Sequence, residues 1–259
     1  MKIFNCHTHI GDAFIHIDKG KKWSVEELVA PPHGLKHVLL QKAKEEDILE
    51  GMKEAIETMK SCGTTHFCDF REGGLEGVKL IKKALDGINA IILGRPLHHA
   101  YDKKEMDEIL EASDGIGVSS ISDWDFWELK KVAEHTNKKK KIFALHASEA
   151  VREDINTILD LKPTFLIHMC KANDSDLEII ANEGIPVVVC PRSNAFFGIK
   201  TKVEEMKEKG IKLMLGTDNA MINPPNIIEE MAYLAKNFDI GLEEAWNMIT
   251  KIPEETFKL

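Results

Sequence analysis

Asn5-Cys6-His7-Thr8-His9 places two histidines one residue apart, directly after the apolar pair Ile3-Phe4. In an extended segment side chains alternate between faces, so His7 and His9 point the same way. Two imidazoles on one face make half of a metal site, or simply two polar residues on a strand. The rest of the chain separates these readings.

Beyond His9, residues 10–45 are mixed and poorly periodic, with Gly11, Asp18-Lys19-Gly20 and Pro31-Pro32-His33-Gly34. A loop of this length reads as a lid or as a plain surface insertion. From Glu46 the pattern becomes regular. Ile48, Met52, Ala55, Ile56 and Met59 mark one helix face, and Gly63 ends it. Short apolar runs then begin near 65, 91, 115, 142, 164, 186 and 212, about every 22 to 27 residues. Between them lie helical patterns. Ser122-Asp123, Ser175-x-x-Glu178 and Thr201-x-x-Glu204 read as helix starts, and Gly184 as a stop.

Eight near-continuous apolar strands, each followed by a helix, predict a parallel sheet covered on its outer face. Eight such units predict closure into an α/β, eight-stranded (β/α) TIM-type barrel over residues 1–259. An open doubly wound sheet is the alternative. It is disfavoured because no G-x-G-x-x-G or phosphate loop follows an early strand. No linker or shift in composition divides the chain.

The polar residues fall at strand ends. His7 and His9 end the first strand, His146 the fifth, His168 the sixth and Asp218 the eighth. In a β/α barrel these ends converge on one mouth, where active sites form. Three imidazoles and a carboxylate suit zinc or ferrous iron, with a position left for water.

Bulk properties fit an ordinary soluble globular chain. The chain is 43% hydrophobic and 30% charged, with a net charge of −9 that argues against nucleic acid as a partner. The amino terminus turns polar at once, unlike a signal peptide, and no run reaches the length of a membrane span. Five cysteines at 6, 62, 68, 170 and 190 include no C-x-x-C pair. The odd count suits a reducing, cytoplasmic setting.

Taken in order, His7-x-His9, Leu145-His146-Ala147-Ser148-Glu149, Ile167-His168, Cys190-Pro191-Arg192-Ser193-Asn194 and Leu215-Gly216-Thr217-Asp218 resemble the amidohydrolase superfamily. The similarity is to its cytosine deaminase-like and chlorohydrolase-like branch, and it covers nearly the whole chain. The resemblance implies one divalent ion, zinc or ferrous iron, held by His7, His9, His146 and Asp218. It implies that His168 polarises the attacking water or binds the metal at longer range. It also implies that Glu149, in H-x-x-E, shuttles protons. The fourth strand lacks the lysine of binuclear branches, so one metal is expected. Longer relatives carry a flanking β-sandwich that this sequence does not show.

Trp124 follows the fourth strand and could stack on a planar ring. Arg71, His98 and Arg192 follow the second, third and seventh strands and could bind carbonyl, carboxylate or phosphate groups. The arginines could equally be paired structurally. The leading expectation is a hydrolase that deaminates an aminated heterocycle, a small molecule, in a chain that could form homo-oligomers. The alternatives are hydrolysis of an amide or ring C–N bond in the same site, and a silent metal-bound scaffold. An intact Glu149 and His168 argue against the scaffold.

Overall fold

The computed structural model describes residues 1–259. Its strands are β1 (Phe4–His9), β2 (His66–Arg71), β3 (Asn89–Gly94), β4 (Gly115–Val118), β5 (Ile142–Ala147), β6 (Phe165–His168), β7 (Val187–Val189), β8 (Leu213–Leu215) and β9 (Asp218–Asn219). Every pairing is parallel, and the order runs β8-β7-β6-β5-β4-β3-β2-β1-β9. Because β9 continues β8 after Gly216-Thr217 and pairs with β1, the ladder returns to its start. The result is the TIM-type barrel that the strand spacing predicts.

The barrel is filled from below. Phe4, Cys6, Cys68, Phe70, Ile91, Leu93, Phe165, Ile167, Val188 and Met214 form an inner cluster, and Phe257 joins it from the last helix, Lys251–Phe257. Its ring lies 6.1 Å from Phe4 and 5.6 Å from Phe165, plugging the floor. A larger cluster packs the outer strand faces against the helices. A hydrophobic inner layer and a hydrophobic outer layer are why the strands read as unbroken apolar runs.

One irregularity in β1 sets up the mouth. Phe4 and Asn5 pair with His66 and Phe67, but Thr8 pairs with Asp69, so β1 carries one extra residue between Asn5 and Thr8. Such a bulge reverses the alternation of faces. Phe4 and Cys6 face the interior below it, and His7 and His9 face the same interior above it. Strict alternation would have sent one of these pairs outward.

Closure is tight where β8 meets β1. Asn5 Nδ2 donates to Thr217 Oγ1 at 2.7 Å, and Thr217 N donates to Asn5 Oδ1 at 3.0 Å. A Cβ on Gly216 would stand 2.7 Å from His7 Cβ and 2.8 Å from its backbone nitrogen. Only glycine lets the last strand come this close.

Several helix starts differ from expectation. Asp125, not Ser122-Asp123, caps Phe126–Lys138 by accepting from Trp127 N and Glu128 N. Asn173 and Asp176, not Ser175 and Glu178, form the capping box of Asp174–Glu183, which Gly184 ends in the left-handed region at φ 66°. Thr201 does not cap Val203–Glu208; its hydroxyl points inward to Asn194. Pro191-Arg192-Ser193-Asn194, which follows the seventh strand, is the start of the helix Pro191–Phe196. Within residues 10–45 two short helices form, Val25–Leu28 and Leu35–Lys42. No helix is long and apolar enough to cross a membrane.

Gly216→Ala should overpack the β8–β1 seam and cost about 1–3 kcal/mol or more. Gly241→Ala, where an added Cβ meets nothing within 4 Å, should leave the melting temperature nearly unchanged. Equal melting temperatures for the two variants would contradict this account of closure.

Candidate active site

The strand ends bring the histidines and Asp218 together. His7 Nε2 lies 3.1 Å from His146 Nε2 and 3.3 Å from Asp218 Oδ1. His9 Nε2 lies 3.3 Å from His146 Nε2 and 3.7 Å from Asp218 Oδ1. One ligand atom each from His7, His146, His168 and Asp218 fall within 4.8 Å of one another. Two of these residues sit in strained backbone, His168 at φ 76° and Asp218 at φ 63°. A left-handed conformation costs a non-glycine residue about 1–3 kcal/mol, and such strain concentrates at functional sites.

The donor set fits a divalent cation. His9 Nδ1 donates to Phe70 O at 3.1 Å, and His146 Nδ1 donates to Val118 O at 2.9 Å. With the protons there, the two Nε2 atoms present lone pairs to each other, an arrangement that a cation between them relieves. Ligands about 2.0–2.1 Å from a tetrahedral zinc stand about 3.4 Å apart. The separations above bracket that spacing.

Electrostatics prepare the same state. Burial holds all four imidazoles below the ordinary histidine value of 6.5. For His9, lowered to about 4, the nearby Lys36 ammonium adds to burial. Burial alone would raise the Asp218 carboxyl, but His7, His168 and His9 outweigh it and hold the group well below the usual range. Burial thus favours the neutral imidazole, and the hydrogen bond between His7 and Asp218 favours the carboxylate. Ser193 Oγ donates to Asp218 Oδ2 at 2.6 Å and aims the other oxygen at the histidines.

Behind the histidines runs a line of buried charge that the sequence alone did not disclose. Glu72 Oε1 lies 3.2 Å from His9 Nδ1 and 2.6 Å from Lys36 Nζ, and Glu72 Oε2 accepts from Arg71 Nη2 at 2.8 Å. Lys36, only 2% exposed, also reaches Asp12 Oδ2 at 3.5 Å. Asp12 accepts from Asn219 Nδ2 at 2.7 Å and Met221 N at 3.0 Å. This run ties residues 10–45 to a histidine and to the turn after β9.

A cavity of about 370 Å³ opens over the cluster. His9, His146, His168, Asp218 and Glu149 share its wall. Glu149 Oε1 lies 3.6 Å from His168 Nε2. Burial, with Asp218 and Asp123 nearby, pushes the Glu149 carboxyl up to about 8, so it keeps its proton at neutral pH.

The four side chains expected to meet a substrate stand apart from this cavity. Arg71 has the outward parity of Phe67 and Asp69 and lies against Gly11, paired with Glu72. His98 is exposed. Trp124 is buried in the outer core, donating to Ser119 Oγ at 3.3 Å. Arg192 meets Glu229 and Glu230 at the start of its helix. Arg95 lines the cavity instead. It continues the inward alternation of Ile91 and Leu93, a signal that was present in the sequence.

Two outcomes follow. Lys36→Met should leave buried Asp12 without a cation and Glu72 with Arg71 alone, costing about 3–5 kcal/mol. It should also weaken divalent-metal affinity by about 10–100-fold through His9; metal titration with unchanged affinity would contradict this. Separately, the chelated protein should lose stability as pH falls from 6.5 toward about 4. The unfolded chain takes up protons there while the buried imidazoles resist. Urea midpoints that stay flat across that window would count against it.

Comparison with known proteins agrees with this geometry. The chain is 38% identical over 270 residues to an uncharacterized protein of Methanocaldococcus jannaschii, covering 96% of this chain and 70% of that one. It is 26% identical to a 5-methylthioadenosine/S-adenosylhomocysteine deaminase of Caldicellulosiruptor saccharolyticus, covering 88% of this chain and 58% of the relative. Helicobacter pylori aminofutalosine deaminase superposes with a TM-score of 0.77 at 15% identity, over 99% of this chain and 74% of that one. The zinc-bound atrazine chlorohydrolase of Arthrobacter aurescens superposes with a TM-score of 0.76 at 13% identity, over 99% and 70%. These two structural likenesses speak for the fold. Residues 2–259 match the amidohydrolase family, whose members depend on a metal. With its barrel, its His/His/His/Asp cluster and this match along nearly all of its length, the chain belongs to the amidohydrolase family.

Proposed function

We propose that this protein is a hydrolase acting on a C–N bond, which deaminates an amidine-like carbon of a small aminated heterocycle. The observation that carries this reading is Glu149. It is a carboxyl only 15% exposed that keeps its proton near neutrality, on the wall of the cavity that holds the cluster.

His7, His9, His146 and Asp218 would hold one divalent cation, and three nitrogens with a carboxylate favour zinc. Such an ion acidifies water and so makes a nucleophile available at neutral pH. The protein's own groups do the rest. Asp218, ionised and fixed by Ser193, accepts a proton from the attacking water. Glu149 gives its proton to the ring nitrogen beside the reacting carbon, which becomes electrophilic. His168 borders the path between them. As the tetrahedral carbon collapses, the amino group takes the proton that Asp218 accepted and leaves as ammonia, the added hydroxyl returns its proton to Glu149, and a carbonyl remains.

The cavity suits one heterocycle with a modest substituent. Lys36, Arg95, Ser119, Ser122 and Asp123 line it and offer donors and acceptors for the substrate's polar atoms. We assign substrate contact to them in place of Arg71, His98, Trp124 and Arg192. The unpaired cysteines fit a reducing compartment, and we place the protein in the cytoplasm.

Zinc-loaded protein incubated with aminated purine nucleosides, pyrimidines, pterins and triazines should release ammonia from at least one of them, and chelation should abolish the release. Glu149→Gln should lower kcat about 10²–10⁴-fold with zinc content unchanged. Turnover that survives Glu149→Gln would contradict the proton-shuttle assignment.

A further inference from the structure

His168 Nε2 is buried, has no hydrogen-bond partner, and points toward the cluster and Glu149. What it does there depends on which ring nitrogen carries the proton. A bare Nε2 is a metal ligand; a protonated Nε2 is a donor toward the reacting oxygen.

The other side of the ring decides this. His168 Nδ1 faces Asn194 Nδ2 at 3.2 Å. Both residues are fully buried. Asn194 Oδ1 accepts from Thr201 Oγ1 at 3.2 Å and from Cys170 Sγ at 3.4 Å. Asn194 Oδ1 is the one oxygen that accepts from the Thr201 hydroxyl, at a site 2% exposed, and the Cys170 sulfur is the hydroxyl's other polar neighbour. Turning the amide over would exchange that hydroxyl's oxygen acceptor for the Cys170 sulfur, a weak acceptor, and set the amide hydrogens against the hydroxyl and the thiol. A buried hydroxyl is held better by an amide oxygen than by a sulfur. Two donors thus hold the amide oxygen away from the histidine, and the amide nitrogen donates to Nδ1. A neutral imidazole that accepts at Nδ1 carries its proton on Nε2.

We propose that Asn194, gripped by Thr201 and Cys170, is a positioning residue that fixes His168 in the Nε2–H tautomer, so that His168 faces the reaction centre as a hydrogen-bond donor and not as a metal ligand. The contrast with its neighbours is built into the backbone. His9 and His146 each give an Nδ1 proton to a carbonyl and turn a bare Nε2 inward. His168 meets a donor where they meet acceptors. Thr201, one residue before the Lys202 cap position of the helix Val203–Glu208, reaches Asn194. The inference rests on the reading of the cluster as a hydrolase centre, but its first test needs no substrate.

Two-bond proton–nitrogen NMR correlations of histidine-labelled, zinc-loaded protein report the tautomer of each ring. His168 should show a protonated Nε2 and a bare Nδ1, opposite to His9 and His146. A bare or zinc-shifted His168 Nε2 would overturn the proposal. Asn194→Asp replaces the donor by an acceptor and should move the proton to Nδ1. Zinc content and KM should stay within about twofold while kcat falls about 10²–10³-fold, the size of losing one transition-state donor. A purely structural Asn194 would lower the melting temperature without moving the proton. Thr201→Val, which frees the amide to turn over, should give a mixture of tautomers, and it serves if the aspartate variant does not fold. Ammonia release at the wild-type rate from a protein with the Nδ1–H tautomer would sink the proposal and leave the hydrolase reading intact. An Nε2–H tautomer without turnover of any substrate would do the reverse.

Discussion

The seam between the first and last strands is the constraint on which everything else rests. Asp218 pairs with Thr8 across it, which sets the carboxylate against His7 and His9. The two strands are joined late, by residues more than 200 positions apart, through the Asn5–Thr217 contacts. A barrel that failed to close would keep most of its core, because the outer layer packs strand on helix unit by unit. It would lose the one juxtaposition that makes a cation site.

The chemistry at the mouth depends on burial used in two opposite ways. The imidazoles are stripped of water and become neutral, and the Asp218 carboxyl is kept ionised by facing them. Glu149, a few ångströms away and without a cation of its own, is driven to the protonated form. One low-dielectric pocket thus supplies both a base and an acid, separated by partners rather than by residue type. The arrangement is costly for the fold. Left-handed backbone at His168 and Asp218, and buried charge along Asp12, Lys36 and Glu72, mark where stability gives way to placement.

Much of this was legible in the sequence. Apolar runs ending in His146, His168 and Asp218 disclosed both the strands and the direction in which they run, because a strand buried on both faces has little else to show. Gly184 was readable because a helix stop in left-handed backbone calls for glycine. The bulge in β1 was not readable, since one extra residue leaves no composition signal. Ser175-x-x-Glu178 matched a capping pattern, yet Asn173 and Asp176, two residues earlier, do the capping. Nothing in the sequence marks Lys36 and Asp12 as buried, because the partners that hold them there, Glu72, Asn219 and Met221, lie far along the chain. Arg71 and Arg95 were separable in principle by counting alternation from the inner residues of their own strands.

The wall of the cavity carries a consequence of its own. Lys36 and Glu72 anchor one side of it to His9, while Val25, Glu26, Val29 and Ala30 border the same space outside that run of charge. Drift at these four positions changes the outline of the entrance without disturbing a single ionic contact. Lineages built on this plan can therefore diverge in what they admit while their catalytic end stays constant, and diversification should gather on that short stretch of chain.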